Sequence, residues 1–265
     1  MTNLEIFCVT NKQINSLKEL NLKLVGVGTE DFDENYLTIE CGDNIQKKER
    51  HYSELTFHYW FWKNKLSTYT DDVWIGFCQK RRFWTKNDKK INNLEELKDN
   101  LLTNIPLEWE TNEVFLCEPI KVNYAKKMKM IKHGWRNLLK DPSIFFQNSK
   151  QNLKLQFDMF HGYGNLDKAI NVLMPNEKND FRKYVNTNTS FSPNIMFITK
   201  KRIMEKYFNS VFDWLFKCED VFGFNTLKGY ETGRLYAYLA ERYMSYWFQK
   251  YHKVKYCNWV FYESF

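Results

Sequence analysis

Residues 73–84 read Val73-Trp74-Ile75-Gly76-Phe77-Cys78-Gln79-Lys80-Arg81-Arg82-Phe83-Trp84. The first six are apolar without a break, the pattern of a strand covered on both faces, as in a parallel sheet flanked by helices. The run then stops at Gln79 and three cations, which must meet an anion or stay in water. Similar runs occupy 4–10, 22–27, 113–117 and 194–199, and a last strand-like piece covers 256–262. Between them the pattern turns helical over 49–64, where Leu55, Tyr59 and Trp62 share a stripe. A short helix over 93–102 opens on Asn93 as N-cap, with Glu96 as reciprocal partner. Most of 121–190 reads as helix, broken at Pro142, Gly162-Tyr163-Gly164 and Pro175, and helices follow at 200–218 and 231–250. Strands alternating with helices predict an α/β fold with a mostly parallel sheet and a helical insertion in the second half, within one domain over 1–265. Ligands of such sheets collect at the carboxyl ends of the strands. That rule gathers Thr10–Lys12, Gly26–Gly28, Gln79–Arg82 and Glu118 around one cleft.

Composition narrows the partner. Of 265 residues, 39 are basic and 32 acidic, a formal charge of +7. A mild excess of this kind suits nucleic acid, a phosphorylated metabolite or an anionic membrane surface. Six cysteines with no C-x-x-C pair, and a start, Met1-Thr2-Asn3-Leu4-Glu5, without a basic n-region, point to a reduced cytosolic chain. No run approaches the ~18 apolar residues of a spanning helix, so any membrane contact is peripheral.

Few motifs are specific. P-loop, dinucleotide-fingerprint, nucleophile-elbow and protein-kinase signatures are absent. His51, Glu54 and His58 share a helix face at i, i+3 and i+7, a zinc-compatible spacing in no established ligand order, and read as a polar helix edge. Lys80-Arg81-Arg82 amid Phe77, Phe83 and Trp84 fits a solvated turn, a phosphate site or a single-strand nucleic-acid patch. Arg234 and Glu241, seven apart on a helix, form either a structural pair or a poised catalytic carboxylate.

Several segments together resemble one family, the domain of unknown function numbered 4422 (DUF4422). They begin with Ile6-Phe7-Cys8-Val9-Thr10-Asn11-Lys12 and Val25-Gly26. The longest block is Gly42-Asp43-Asn44-Ile45 followed by Tyr52-Ser53-Glu54-Leu55-Thr56-Phe57-His58-Tyr59-Trp60-Phe61-Trp62-Lys63-Asn64. Arg81-Arg82-Phe83-Trp84 keeps the second half of a further motif, but Gln79 and Lys80 replace its His-Tyr. His161 with Leu166-Asp167, Asn194 to Ile198, and Ala240-Glu241-Arg242 complete the match, and 85–160 carries little of it.

The resemblance implies a GT-A-like glycosyltransferase, with a Rossmann-type sheet and the sugar nucleotide at the strand ends. Members belong to surface polysaccharide synthesis and include galactofuranosyltransferase domains. It implies a nucleotide-sugar-binding part over about 1–120, a helical acceptor-side part over about 121–190, and a closing strand and helices over 191–265. The expected donor is UDP-linked, and the acceptor a glycan or lipid-linked glycan, with no nucleic acid. The cellular setting is cytoplasmic, at most peripheral at the inner face of the membrane. Donor contacts are expected from Thr10, Asn11, Lys12, Asn44, Lys48, Glu54, Gln79, Lys80, Arg81 and Arg82. The base that deprotonates the acceptor is expected to be Glu241, with Asp43 and His161 behind it. His161 and Asn194 fall on the acceptor side. Many GT-A enzymes hold Mn²⁺ or Mg²⁺ on an Asp-x-Asp at a strand end. Here that strand end is Gln79-Lys80-Arg81-Arg82, so no metal or other cofactor is expected, and Arg and Lys take over the leaving diphosphate's charge. The alternatives are a non-catalytic glycan- or nucleotide-binding relic and a basic module that binds nucleic acid.

Overall fold

A computed structural model describes residues 4–263; the expected lack of a leader at Met1-Thr2-Asn3 falls outside them. The strands are β1 (Leu4–Thr10), β2 (Lys23–Gly26), β3 (Leu37–Thr38), β4 (Trp74–Gln79), β5 (Arg82–Trp84), β6 (Val114–Cys117), β7 (Ile120–Lys121), β8 (Ser190–Phe191), β9 (Phe197–Lys200), β10 (Val254–Cys257) and β11 (Trp259–Phe261). The α-helices are α1 (Glu49–Tyr52), α2 (Leu55–Trp60), α3 (Leu94–Asn100), α4 (Lys127–Lys140), α5 (Leu153–His161), α6 (Asn165–Asn171), α7 (Pro175–Thr187), α8 (Lys201–Phe222), α9 (Gly229–Thr232) and α10 (Leu235–Tyr251).

The main sheet runs β10-β6-β9-β4-β1-β2-β3. Along this order the pairs are parallel except those of β9, which lies antiparallel to both β4 and β6, and β5 and β11 join beside β4 as further antiparallel pairs. The unbroken apolar runs have a direct cause. Phe7 and Val9 of β1, with Ile75 and Phe77 of β4, face one core cluster, whereas Ile6, Cys8, Trp74 and Cys78 face a second on the opposite side of the sheet. Neither face meets water, so neither strand can alternate apolar with polar. Gly76 stands opposite Ile198 of β9, and a Cβ there would come within 2.7 Å of Ile198 Cγ1.

Three expected elements change. The 49–64 helix breaks at Ser53, whose φ of 52° is left-handed, and resumes as α2 and a π-helical turn, Phe61–Lys65. The 194–199 strand starts only at Phe197, because Asn194 and Ile195 have φ of 73° and 50°. The terminal piece divides into β10 and β11, which belong to different edges: β10 pairs with β6, while β11 pairs with β5. Asn93 does cap α3, accepting from Glu96 N at 2.8 Å. The reciprocal bond shifts by one residue, since Glu96 accepts from Asn92 N.

Candidate active site

The ends of β1 and β4 open into a cavity of about 300 Å³ lined by Thr10, Asn11, Lys12, Val27, Glu49, Ser53, Glu54, Gln79, Lys80, Arg81, Arg82 and Arg234. A second, about 190 Å³, continues from it past Ser53, Glu54, Gln79, Arg82 and Arg234 to Asn194, Tyr230, Tyr238 and Glu241. On the other side, Lys12, Lys80 and Arg81 also line an open depression of about 860 Å³.

Local structure places each group. Gln79 pairs with Arg82 across a tight hairpin between β4 and β5, leaving Lys80 and Arg81 at its tip. Thr10 Oγ1 accepts from Lys12 N at 3.0 Å and donates to Lys12 O at 2.6 Å, which turns the chain sharply after β1. Asn11 Oδ1 then accepts from Lys80 Nζ at 2.7 Å. Burial, and then the charges of Arg81, Lys12 and Arg234, push the Lys80 pKa down. Arg81 pairs with Glu263 at the rim. Among the described residues the Arg234 side chain makes no hydrogen bond or ion pair, and only its carbonyl accepts, from Tyr238 N.

Gln79 is the junction. Its Nε2 donates to Glu54 Oε1 and, at 2.6 Å, to Asn194 O, while its Oε1 accepts from Arg82 at 3.0 Å. On the other side of the same left-handed residue, Asn194 N donates to Glu241 Oε1 at 2.6 Å. Strained backbone at Asn194 and Ile195 is thus gripped on both sides by the two polar walls of the cleft. Burial raises the Glu54 pKa; the nearby Glu241 charge adds to that and Arg234 opposes it.

Behind Glu241, the guanidinium of Arg242 is only 1% exposed. It donates to Glu241 Oε2, to Gln156 Oε1 at 2.7 Å and to Tyr238 O at 3.3 Å, and lies 4.2 Å from the Phe191 ring centre. His161 Nε2 sits 3.4 Å from Arg242, its Nδ1 is 3.2 Å from Glu231 O, and its ring stacks on Tyr238 at 3.8 Å. Burial and the Arg242 charge lower the His161 pKa to about 3. The ring is therefore neutral at pH 7, its Nδ1–H donated to Glu231 O and its Nε2 turned to the guanidinium. His161 thus lies against Arg242, behind the smaller cavity.

The expected residues therefore divide. Thr10, Asn11, Lys12, Glu54, Gln79, Lys80, Arg81, Arg82, Asn194 and Glu241 come together, and His161 stands behind them. Asp43 and Asn44 lie elsewhere. Asp43 bonds Tyr59 OH at 3.2 Å and exchanges backbone bonds with the Asn64 side chain, while Asn44 Nδ2 closes its own loop onto Gly42 O. Lys48 is bound to Glu219 at 2.7 Å, and Glu118 lines neither cleft cavity. The two histidines of the zinc spacing separate as well: His51 bonds Gly233 O at 2.7 Å, and His58 is buried against Phe77. Among the described residues, no three His, Cys, Asp or Glu side chains gather as metal ligands would. Sequence reasoning missed Ser53 and Tyr230 in the cleft, and Arg234 as a cleft cation. No signal was available for Ser53, because its left-handed break uses no glycine and leaves no mark in the sequence.

A solved structure described as the apo form of the bifunctional glycosyltransferase WbbM superposes with a TM-score of 0.70 at 20% identity. The match covers 99% of this chain and 46% of that one, so the chain spans less than half of the WbbM chain. The likeness makes the fold GT-A-like. No curated protein matches the chain. The model of the domain of unknown function DUF4422 matches residues 5–253, and the chain belongs to that family.

Proposed function

We propose that this domain is a glycosyltransferase that passes a sugar from a nucleoside-diphosphate donor, UDP-linked, to a hydroxyl of a glycan or lipid-linked glycan in surface polysaccharide synthesis. The family resemblance makes galactofuranose the first sugar to test. One observation carries the proposal: Lys12, Lys80, Arg81, Arg82 and Arg234 line a single cavity at the ends of β1 and β4. Five cations outnumber the two carboxylates of the same cavity, Glu49 and Glu54, and a diphosphate supplies the further negative charge and the oxygens that guanidinium forks engage. As the glycosidic bond breaks, charge builds on the leaving diphosphate, and fixed cations stabilise it more in the transition state than before. The turn after β4 offers no carboxylate to hold a divalent metal there, and no step is assigned to one.

The acceptor hydroxyl must lose its proton where it meets the donor. Glu54 lines both cavities at their junction, whereas Glu241 lines only the second, its oxygens already accepting from Asn194 N and Arg242. Burial raises the Glu54 pKa, which makes its carboxylate the stronger base. We therefore assign the base to Glu54 and give Glu241 the positioning of Asn194 and, through it, Gln79.

A panel of nucleotide sugars tests the proposal by thermal stabilisation and hydrolysis, with EDTA and with Mn²⁺. Stabilisation and hydrolysis by one UDP-sugar, alike under both conditions, is the expected result. A strict Mn²⁺ requirement overturns the cation assignment. Absence of binding to every nucleotide sugar overturns the function, and steeply salt-dependent binding to single strands in its place identifies a nucleic-acid module.

A further inference from the structure

The whole formal excess of +7 is matched by one segment: 119–140 holds Lys121, Lys126, Lys127, Lys129, Lys132, Arg136 and Lys140 and no acidic residue. Most of it is α4. The core side of this helix is narrow. Met130 and Gly134 are buried against α5, where a Cβ on Gly134 would meet Met159 Cγ at 3.2 Å. Beside that face runs a second, largely uncovered apolar stripe: Met128, Ile131, Trp135 and Leu139 are 75%, 50%, 50% and 74% exposed. Their spacing of three and four residues puts them in one line along the helix. The next sector around the helix carries Lys129, Lys132, Arg136 and Lys140. Solvent exposure of four large apolar side chains in a row is unusual for a soluble surface and marks an interaction site.

We propose that α4 is a membrane-docking helix that lies in the interface of an anionic bilayer, its Met128–Leu139 stripe among the acyl chains and its lysines and arginine at the headgroups. Charge complementarity selects this occupant. A row of cations flanking an apolar stripe fits a surface that offers both negative headgroups and hydrocarbon, and a nucleic acid offers only the first. At about 1.5 Å per residue the helix is roughly 21 Å long, enough to lie along a surface and too short to cross it; no helix among the described residues is long and apolar enough to span. Placement adds a consequence. The α5 helix, on which α4 packs, also carries Gln156 and His161, which hold Arg242 behind the smaller cavity. The docking helix is thus one layer from the proposed acceptor side, as a lipid-linked acceptor would require.

The test is co-sedimentation of the purified protein with phosphatidylcholine vesicles, with and without phosphatidylglycerol. Ile131→Ser/Trp135→Ser and Lys132→Glu/Arg136→Glu serve as variants, each checked for an unchanged thermal midpoint. The expected result is binding confined to anionic vesicles, reduced about tenfold or more by either variant, with hydrolysis of soluble donor unchanged. No sedimentation, or equal sedimentation with both vesicle types, overturns the proposal. So does loss on charge reversal alone with the serine variant unaffected, since a polyanion such as nucleic acid then suffices. The sedimentation outcomes do not depend on the activity assigned to the cleft.

Discussion

Ser53 sets the chemistry of the cleft through its backbone. A serine at φ 52° costs on the order of 1–3 kcal/mol, and it turns α1 into α2 so that Glu54 enters the cleft beside Gln79. The linkage sign for Glu54 follows from its raised pKa. Stability from the neutral carboxyl is fully present below the unfolded value and is lost as pH rises through the folded one, so the ionised group strains the fold at neutral pH. Glu54→Gln is therefore expected to raise the thermal midpoint at pH 7–8 and to leave it unchanged below about pH 4. The same variant should lower turnover by about 10²-fold or more. A variant that retains turnover removes Glu54 as base and returns the role to Glu241. The Gln79 position also takes on meaning: glutamine supplies a donor to Glu54 and an acceptor to Arg82, so the departure from the family's histidine keeps a bridging side chain.

At the scale of elements, the longest family block is a clasp. Gly42 has φ of 80°, and its loop is tied to the helix by Asn64, which bonds Asp43 N at 3.0 Å and Asp43 O at 2.8 Å. Trp60 Nε1 donates to Cys41 O at 2.6 Å, and Tyr59 OH donates to Asp43. Gly42, Asp43, Tyr59, Trp60 and Asn64 thus serve one loop–helix contact, and the block's cleft residues are Ser53 and Glu54. Asn64→Ala should destabilise the domain by about 1–3 kcal/mol and speed hydrogen exchange at the Asp43 amide. Nucleotide-sugar affinity should stay within about twofold, because the loop lies outside the cavity; a larger loss would restore Asp43 or Asn44 to the donor site.

On the scale of the whole molecule, two buried histidines make the fold acid-sensitive. His58 is enclosed by Phe77, Phe197 and Phe208, its Nδ1 without a hydrogen-bond partner, and burial lowers its pKa from 6.5 to about 3. His161 falls to about 3 as well. Below pH 6.5 the unfolded chain takes up protons that the folded one refuses, so stability declines as pH falls toward 3. Between pH 6.5 and 5 each histidine withdraws about 2 kcal/mol. Urea denaturation at pH 7 and pH 5 should show the loss, and His58→Met should remove about half of the histidine share. An unchanged slope in that variant would mean that His58 is protonated in the folded protein.

The sequence by itself determined the sheet and the position of its cleft. A run apolar at every residue, as 73–78 is, fits a strand covered on both faces, and the strand-end rule then brings Thr10–Lys12 and Gln79–Arg82 together without knowledge of any contact. The charge of 119–140, seven cations and no acid, is likewise written in the sequence, and five of those cations fall on α4. Only the tertiary structure decided which carboxylates meet the cleft cations, that β9 runs antiparallel, and that Asp43 and Lys48 lie outside the two cleft cavities. Local propensity gives no sign of a left-handed Asn194, because the hydrogen bonds that sustain it come from residues far along the chain: Gln79 holds Asn194 O and Glu241 holds Asn194 N across 115 and 47 positions. Arg234 enters the cavity for the same reason, carried there by the packing of α10 on α1 and unmarked by any motif of its own.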